Sequence, residues 1–138
     1  MQQFSYGKKI VMPVGFDSAV ELTVEALKAQ GFGVLTEIDV KKTLKAKIDE
    51  EFRRYVILGA CNPKLAFKAL SAEEDLGLLL PCNVVVYEQG ENSVVSVIDP
   101  GMMSTLTSNP VLGEVAEEAG RLLDAALEAL ASAEPAKA

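Results

Sequence analysis

The sequence predicts one α+β domain, built from a mixed or antiparallel sheet with helices packed mainly on one face. Its 138 residues are enough for one hydrophobic core, and 49% hydrophobic with 24% charged residues is an ordinary globular balance. The predicted elements follow the order β-α-β-α-β-α-β-β-α, which is neither a regular βαβ alternation nor a β-sandwich. The domain is predicted to span residues 1–131, with a flexible tail over residues 132–138.

The first two elements are a strand and an amphipathic helix. Residues 8–14 are apolar enough for a strand, and a glycine follows them. Asp17 is placed to cap the next helix, which is predicted to end near residue 30. Gly31 then suits the left-handed conformation that often follows a helix.

Two further strands flank a short helix. Residues 32–40 alternate in character, so that Glu37 and Asp39 share the polar face of a predicted strand. Residues 41–51 predict a short helix, because apolar side chains recur at every fourth position. Residues 55–60 are continuously apolar, which predicts a strand covered on both faces.

A helix and a hairpin follow in the second half of the chain. Residues 63–70 predict the helix, and the apolar residues 76–80 lead through a proline into the hairpin. Its strands are predicted over residues 83–88 and 94–98, joined by a turn over residues 89–92.

The last predicted elements are a long loop and a long helix. Residues 99–109 predict the loop, which carries Met102 and Met103. Asn109 suits the capping position of the final helix and Pro110 its first turn. The helix carries a continuous alanine- and leucine-rich stripe that is wider than one packing face needs.

Composition excludes several classes of function. The chain contains no histidine, so a histidine-based nucleophile, a histidine proton shuttle and the common His-containing zinc sites are impossible. A formal net charge of −7 makes nucleic acid and anionic membranes poor partners. No apolar segment approaches the ~20 residues that cross a bilayer, and no signal peptide is recognisable. The protein is therefore expected in the cytoplasm.

Two cysteines adjoin proline residues where predicted elements begin or end. Cys61 precedes Asn62 and Pro63 at the junction of a strand and a helix, and Cys82 follows Pro81 before the next strand. Asn followed by Pro is a common helix start, and the same dipeptide recurs before the final helix, so the pair has a structural interpretation. The functional interpretation is that a helix N-terminus lowers the pKa of the Cys61 thiol and favours thiolate.

Other interpretations of these residues remain open. If their strands are neighbours, Cys61 and Cys82 could form a reversible disulfide or supply two soft metal ligands. Two thiolates do not complete a tetrahedral zinc site, so no metal site is assigned. Cys82 taken alone is typical of a small buried apolar residue. Glu37 is either a general base or cation ligand in a cleft, or an ordinary solvent-facing acid.

Three segments place proline steps in a recognisable order: ILGACNP at residues 57–63, LLLPCNVVVY at residues 78–87 and VIDPG at residues 97–101. With GFGVLTEIDV at residues 31–40, the chain resembles the domain-of-unknown-function 302 family, and the subgroup with both cysteines. The resemblance implies a small α+β fold and a homodimer. It also implies that five residues serve a shared site or the shared fold: Asn62, Pro63, Pro81, Asp99 and Pro100. The cysteines would then serve a specialised chemistry or none.

Self-association is also expected from the residues themselves. The hairpin strands and the final helix carry more apolar surface than a monomer is expected to cover, and uncovered valine-rich strands are an aggregation hazard. A second copy of the chain is the expected cover.

Three hypotheses for the function remain. The first is a homodimeric cytosolic domain that binds a small anionic metabolite near Asn62, Pro81 and Asp99, under the methionine-containing loop. The second is a thiol redox or thiol-transfer enzyme in which Cys61 attacks and Cys82 resolves. The third is an interaction domain without a cleft of ligand size. The sequence indicates neither a cofactor nor the identity of a ligand.

Overall fold

The computed structural model describes residues 1–132, which form one six-stranded antiparallel sheet with α-helices packed on it. The strands are β1 (Gln2–Phe4), β2 (Gly7–Met12), β3 (Gly33–Asp39), β4 (Tyr55–Cys61), β5 (Cys82–Gln89) and β6 (Asn92–Ile98). The helices are α1 (Phe16–Ala29), α2 (Val40–Ile48), α3 (Pro63–Ala72), α4 (Met103–Leu106) and α5 (Pro110–Ser132). Two 3-10 helices span Glu74–Leu79 and Pro100–Met102.

The strand order is β1-β2-β6-β5-β4-β3, and every neighbouring pair is antiparallel. This confirms the predicted fold class and, apart from β1, α4 and the two 3-10 helices, the predicted order. The hairpin between β5 and β6 turns where expected, with Gly90 at a φ of 60° that glycine adopts without strain. The predicted tail begins at Ser132, the last residue of α5, and the rest of it lies outside the described residues.

One face of the sheet packs against α1 and α5. Leu58 from β4, Leu27 from α1 and Leu127 from α5 are almost completely buried in this core. Burying such side chains stabilises the fold by roughly 1.5–3 kcal/mol each. Lys8 of β2 reaches over the same face and donates to both carboxylate oxygens of Asp124 in α5, at 2.9 and 2.8 Å.

Helix α5 serves two packing surfaces in succession. Its first turns, with Leu112 and Val115, join a second apolar cluster that contains Ala69 of α3 and Met103 of α4. Its later turns, with Leu123 and Leu127, pack on the sheet. The wide apolar stripe of this helix is therefore buried within the chain itself. The expectation that the stripe exceeds what one chain covers is wrong.

Several local predictions are corrected by the structure. Strand β1 was not predicted, because three mostly polar residues carry no strand pattern and pair only through β2. The predicted loop of residues 99–109 contains a 3-10 helix and α4. Asp17 does not cap α1. Gly15 occupies the capping position, and Asp17 in the first turn pairs with Arg54.

Strands β3 and β4 also differ from their predicted patterns. A register irregularity between Val34 and Thr36 reverses the alternation in β3, so that Ile38, expected in the core, is 48% exposed. In β4, Val56 and Leu58 are buried whereas Tyr55 and Ile57 are only half-buried. The strand is therefore buried on one face and, at Tyr55 and Ile57, only half-buried on the other.

Candidate functional site

The two cysteines lie at the same end of neighbouring central strands. Strand β4 ends at Cys61, β5 begins at Cys82, and Ala60 is the direct partner of Cys82. Asn62 caps α3, because its side-chain oxygen accepts the Leu65 N–H at 3.3 Å. The structure thus brings Cys61, Asn62 and Cys82 together, because the two strands are neighbours, which the sequence left open.

These residues line a small apolar space, here named the cysteine cavity, of about 30 Å³. Its walls are Phe32, Ala60, Cys61, Asn62, Leu65, Ala66, Ala69, Leu80, Pro81, Cys82, Met103, Val115 and Ala119. The volume equals about one water molecule. Small-molecule sites usually measure ≈ 300–1,000 Å³, so the cavity as it stands is too small for a metabolite.

The first turn of α3 has few backbone N–H groups that could bind an anion. Pro63 has no N–H, and the N–H of Leu65 is taken by the Asn62 side chain. The N–H of Ala66 bonds to the Asn62 carbonyl at 2.9 Å. Only the N–H of Lys64 remains in this turn, which weakens the predicted anion site.

The Cys82 thiol is poorly suited to nucleophilic chemistry. Burial, with a smaller contribution from neighbouring Cys61, raises its pKa to about 11. The thiolate is the reactive form, so Cys82 is almost wholly in the unreactive form at neutral pH. Both cysteines are free, and Cys61 is half-buried. A catalytic role for Cys61 and Cys82 stays a prediction.

The remaining predicted site residues lie elsewhere. Asp99 caps the 3-10 helix Pro100–Met102 by accepting the Gly101 N–H at 2.9 Å, and it borders a different depression, beside Lys8 and Arg121. Glu37 is exposed on the edge strand β3. Neither Asp99 nor Glu37 lies beside Asn62 and Pro81, because Asp99 follows β6 and Glu37 lies in β3. Met103 rather than Met102 faces the cysteine cavity.

A larger concavity lies on the sheet face opposite α1 and α5. This open-face groove measures about 400 Å³. It is lined by Phe4, Tyr6, Lys9, Tyr55, Asn83, Val85, Tyr87, Ser96, Val97 and Ile98. The groove contains all three tyrosines of the chain. It crosses five strands, from β1 at the sheet edge to β4.

The aromatic rings in the groove contact one another and two cations. Tyr55 and Tyr87 are direct cross-strand partners, and their rings stack with centroids 5.4 Å apart and an interplanar angle of 5°. The Lys9 ammonium lies 5.6 Å from the centroid of the Phe4 ring, and the Arg53 guanidinium 5.8 Å from that of Tyr87. Cations at these distances are attracted to the ring faces.

The groove carries positive charge on an acidic protein. Among its lining residues Lys9 is the one with a charged side chain, although the chain has 20 Asp and Glu residues. Within residues 1–132, no carboxylate lies within ion-pair distance of Lys9. Burial, and then the nearby Tyr87 and Tyr6, raise the pKa of Tyr55 above its ordinary value. The Tyr55 hydroxyl therefore keeps its proton at neutral pH and can donate a hydrogen bond.

Comparison with known proteins assigns the family. The family model for the domain of unknown function DUF302 matches residues 8–130. The chain belongs to the DUF302 family. A crystal structure of an uncharacterized conserved DUF302 protein from Bacillus stearothermophilus is 30% identical to it, with a TM-score of 0.82. The match covers 91% of this chain and 98% of that one. No match is found among curated proteins.

Two further properties of this DUF302 domain follow from residues 1–132. In that part of the chain, no three Cys, Asp or Glu side chains come together in a way that could hold a metal ion. None of its helices is long and apolar enough to cross a membrane.

The open-face groove of this DUF302 domain was missed in the sequence. The available signal was that Tyr87 and Val85 alternate with the buried Val84 and Val86, which marks a strand with two unlike faces. Lys9, a charged residue within an apolar strand, was a second signal. Neither identifies a groove without the strand order that places β2, β6, β5 and β4 side by side.

Proposed function

We propose that this DUF302 domain binds a small ligand in the open-face groove. The observation that carries the proposal is the aromatic lining of the groove. Its volume of about 400 Å³ lies within the usual range for small-molecule sites, as do the volumes of three other depressions. Its lining also has the usual composition of such sites, with aromatic and aliphatic walls around a few polar groups. The cysteine cavity, at about 30 Å³, is the weaker candidate.

The two other hypotheses have less support. An interaction domain without a site would have no concavity of ligand size, and the groove argues against that. In the thiol enzyme Cys82 would be the resolving thiol, and its raised pKa would make that step slow at neutral pH. Two free cysteines also agree with a reducing compartment, so we place the protein in the cytoplasm.

Tyrosine fluorescence tests the ligand proposal. The chain has no tryptophan and its three tyrosines line the groove, so the intrinsic emission reports on this surface alone. A metabolite that binds there should change the emission with saturation. At 100 times its Kd it should also raise the free energy of unfolding by about 2.7 kcal/mol.

The two readouts must agree. A compound that raises the melting temperature without changing the tyrosine emission would bind elsewhere, and that result contradicts the proposal. Tyr87→Leu provides the control, because it removes one wall of the groove from a half-buried position. It should weaken a groove ligand and leave the affinity of a ligand bound elsewhere unchanged.

We also propose that a second copy of the chain covers the open face, so that the domain is a homodimer. Val11 on this side of β2 is 56% exposed, whereas the stripe of α5 is already buried. Six strands at ~4.8 Å spacing, with a mean length of about 20 Å, present roughly 600 Å². A standard interface takes ≈ 800 Å² from each partner. The second copy would then cover the groove.

Mass measurement tests the dimer. Light scattering at micromolar concentration should give about twice 14.7 kDa. Val11→Glu should shift the mass toward the monomer, because it buries a charge in the interface. Leu78→Glu is the matched control, since Leu78 is 88% exposed on a 3-10 helix of the opposite layer, and should leave the dimer intact. A mass of 14.7 kDa for the unaltered chain would refute the dimer.

A further inference from the structure

We infer that the open-face groove selects a planar aromatic carboxylate. The inference rests on the proposed function, since it names the class of ligand for the same groove. Three independent features of the lining lead to it: its charge, the shape of its walls and the position of its hydrogen-bond donors.

The charge of the groove selects for an anion. Lys9 is half-buried between β1 and β6, and within residues 1–132 it has no carboxylate partner. Its neighbour Lys8, on the other face of the same strand, is paired with Asp124. A partly buried cation without a counter-ion gains most from a ligand that brings the missing negative charge. A cationic ligand would be repelled at this position.

The walls of the groove select for a flat molecule. Four aromatic rings, those of Phe4, Tyr6, Tyr55 and Tyr87, contribute to a lining of ten residues. The Tyr55 and Tyr87 rings are almost parallel, and the Phe4 and Tyr6 rings meet edge to face with centroids 5.0 Å apart. Aromatic rings favour offset-stacked and edge-to-face partners at such distances, which a planar ring system supplies and a flexible alkyl chain does not.

Hydrogen-bond donors are also part of the groove lining. Tyrosine hydroxyls can donate to a carboxylate, and the raised pKa of Tyr55 keeps its hydroxyl protonated well above neutral pH. Asn83 and Ser96 add an amide and a hydroxyl to the lining. A carboxylate accepts at two oxygens, so it can take the Lys9 ammonium on one and a hydroxyl on the other. No lining residue is an acid that would repel it.

A matched pair of probes tests the inference. Naphthalene-2-carboxylate and naphthalene-2-carboxamide have the same ring system and differ in charge at neutral pH. Calorimetric titration of the full chain is expected to give about tenfold tighter binding of the carboxylate, the size of one charge-assisted hydrogen bond. Decanoate, an aliphatic carboxylate, should bind more weakly than naphthalene-2-carboxylate.

Three variants assign the effect to Lys9. Lys9→Met keeps the length of the side chain and should abolish the preference for the carboxylate, because it weakens carboxylate binding more than carboxamide binding. Lys9→Arg keeps the charge and should retain the preference. Lys42→Met, at an exposed position of α2, is the control and should behave as the unaltered chain. A thermal melt of each variant establishes that it is folded.

The outcomes separate this inference from the proposed function. Equal affinity for the two naphthalene probes, or a preference that survives Lys9→Met, would overturn the selection for an anion and leave the groove as a ligand site. Tighter binding of decanoate would overturn the selection for a planar ring. If none of the three probes binds while another compound changes the tyrosine emission, the ligand class is wrong and the groove stands. If no compound of any class changes the tyrosine emission, both this inference and the proposed ligand-binding function are wrong.

Discussion

Gly59→Ala is expected to lower the free energy of unfolding by about 3 kcal/mol, at the upper end of overpacking changes in a core. A Cβ at Gly59 would overlap the Thr36 hydroxyl and would lie 2.8 Å from Cγ of Pro81. The Thr36 side chain can rotate away, but the Pro81 ring cannot. Strand β4 pairs with a strand on each side, so its backbone cannot shift without loss of ladder hydrogen bonds.

Urea denaturation followed by circular dichroism measures this change. Gly33→Ala is the matched control on the neighbouring strand β3, because no atom lies within 4 Å of the added Cβ there. It should leave stability unchanged or raise it by up to about 1 kcal/mol, since alanine reduces the entropy of the unfolded chain. If the two variants unfold at the same urea concentration, the contact between Pro81 and β4 is not as described.

Alkylation of Cys82 at pH 7 is expected to be at least about a hundredfold slower than alkylation of the same thiol in the unfolded chain. Burial raises its pKa from an ordinary 9.0 to about 11, which lowers the thiolate fraction at pH 7 by that factor. The rate should rise as pH approaches 11. Intact-mass measurement of a Cys61→Ser variant with iodoacetamide isolates Cys82, and the same variant in urea gives the reference rate.

The same shift affects stability at alkaline pH. The folded chain holds the Cys82 proton more tightly than the unfolded chain. The resulting contribution to the free energy of unfolding is complete below about pH 9 and is lost as pH rises toward 11. Its size is on the order of 2–3 kcal/mol. Rapid labelling of folded Cys82 at pH 7 would contradict its burial and would remove the objection to Cys82 as a resolving thiol.

Local chemistry predicted much of the fold. The Asn62–Pro63 and Asn109–Pro110 starts of two helices follow from side chains that bond to neighbouring N–H groups, and both are observed. Pairing between strands was not predictable in this way. Strand β1 exists because β2 pairs with it, and the irregularity in β3 follows from its register with β4.

The candidate sites also differ in how far they follow from local sequence and how far from strand pairing. Cys61 and Cys82 were predicted to approach each other if their strands were neighbours, and register places them together. Asp99 was grouped with them from its Asp-Pro step alone, but that step caps a separate turn. Lys9 and Tyr87 are far apart in sequence, and only the strand order brings them into one groove. A groove built from five strands has no local sequence pattern.

NMR shifts of backbone amides and valine methyls locate a bound ligand directly. They should be recorded while a compound that raises the melting temperature is titrated into the unaltered chain. The largest changes are predicted at Lys9, Val85, Tyr87 and Ser96, with Cys61 and Asn62 unaffected. Largest changes at Cys61, Asn62 and Met103, with the groove residues unchanged, would place the ligand in the cysteine cavity and contradict the open-face groove as the functional site.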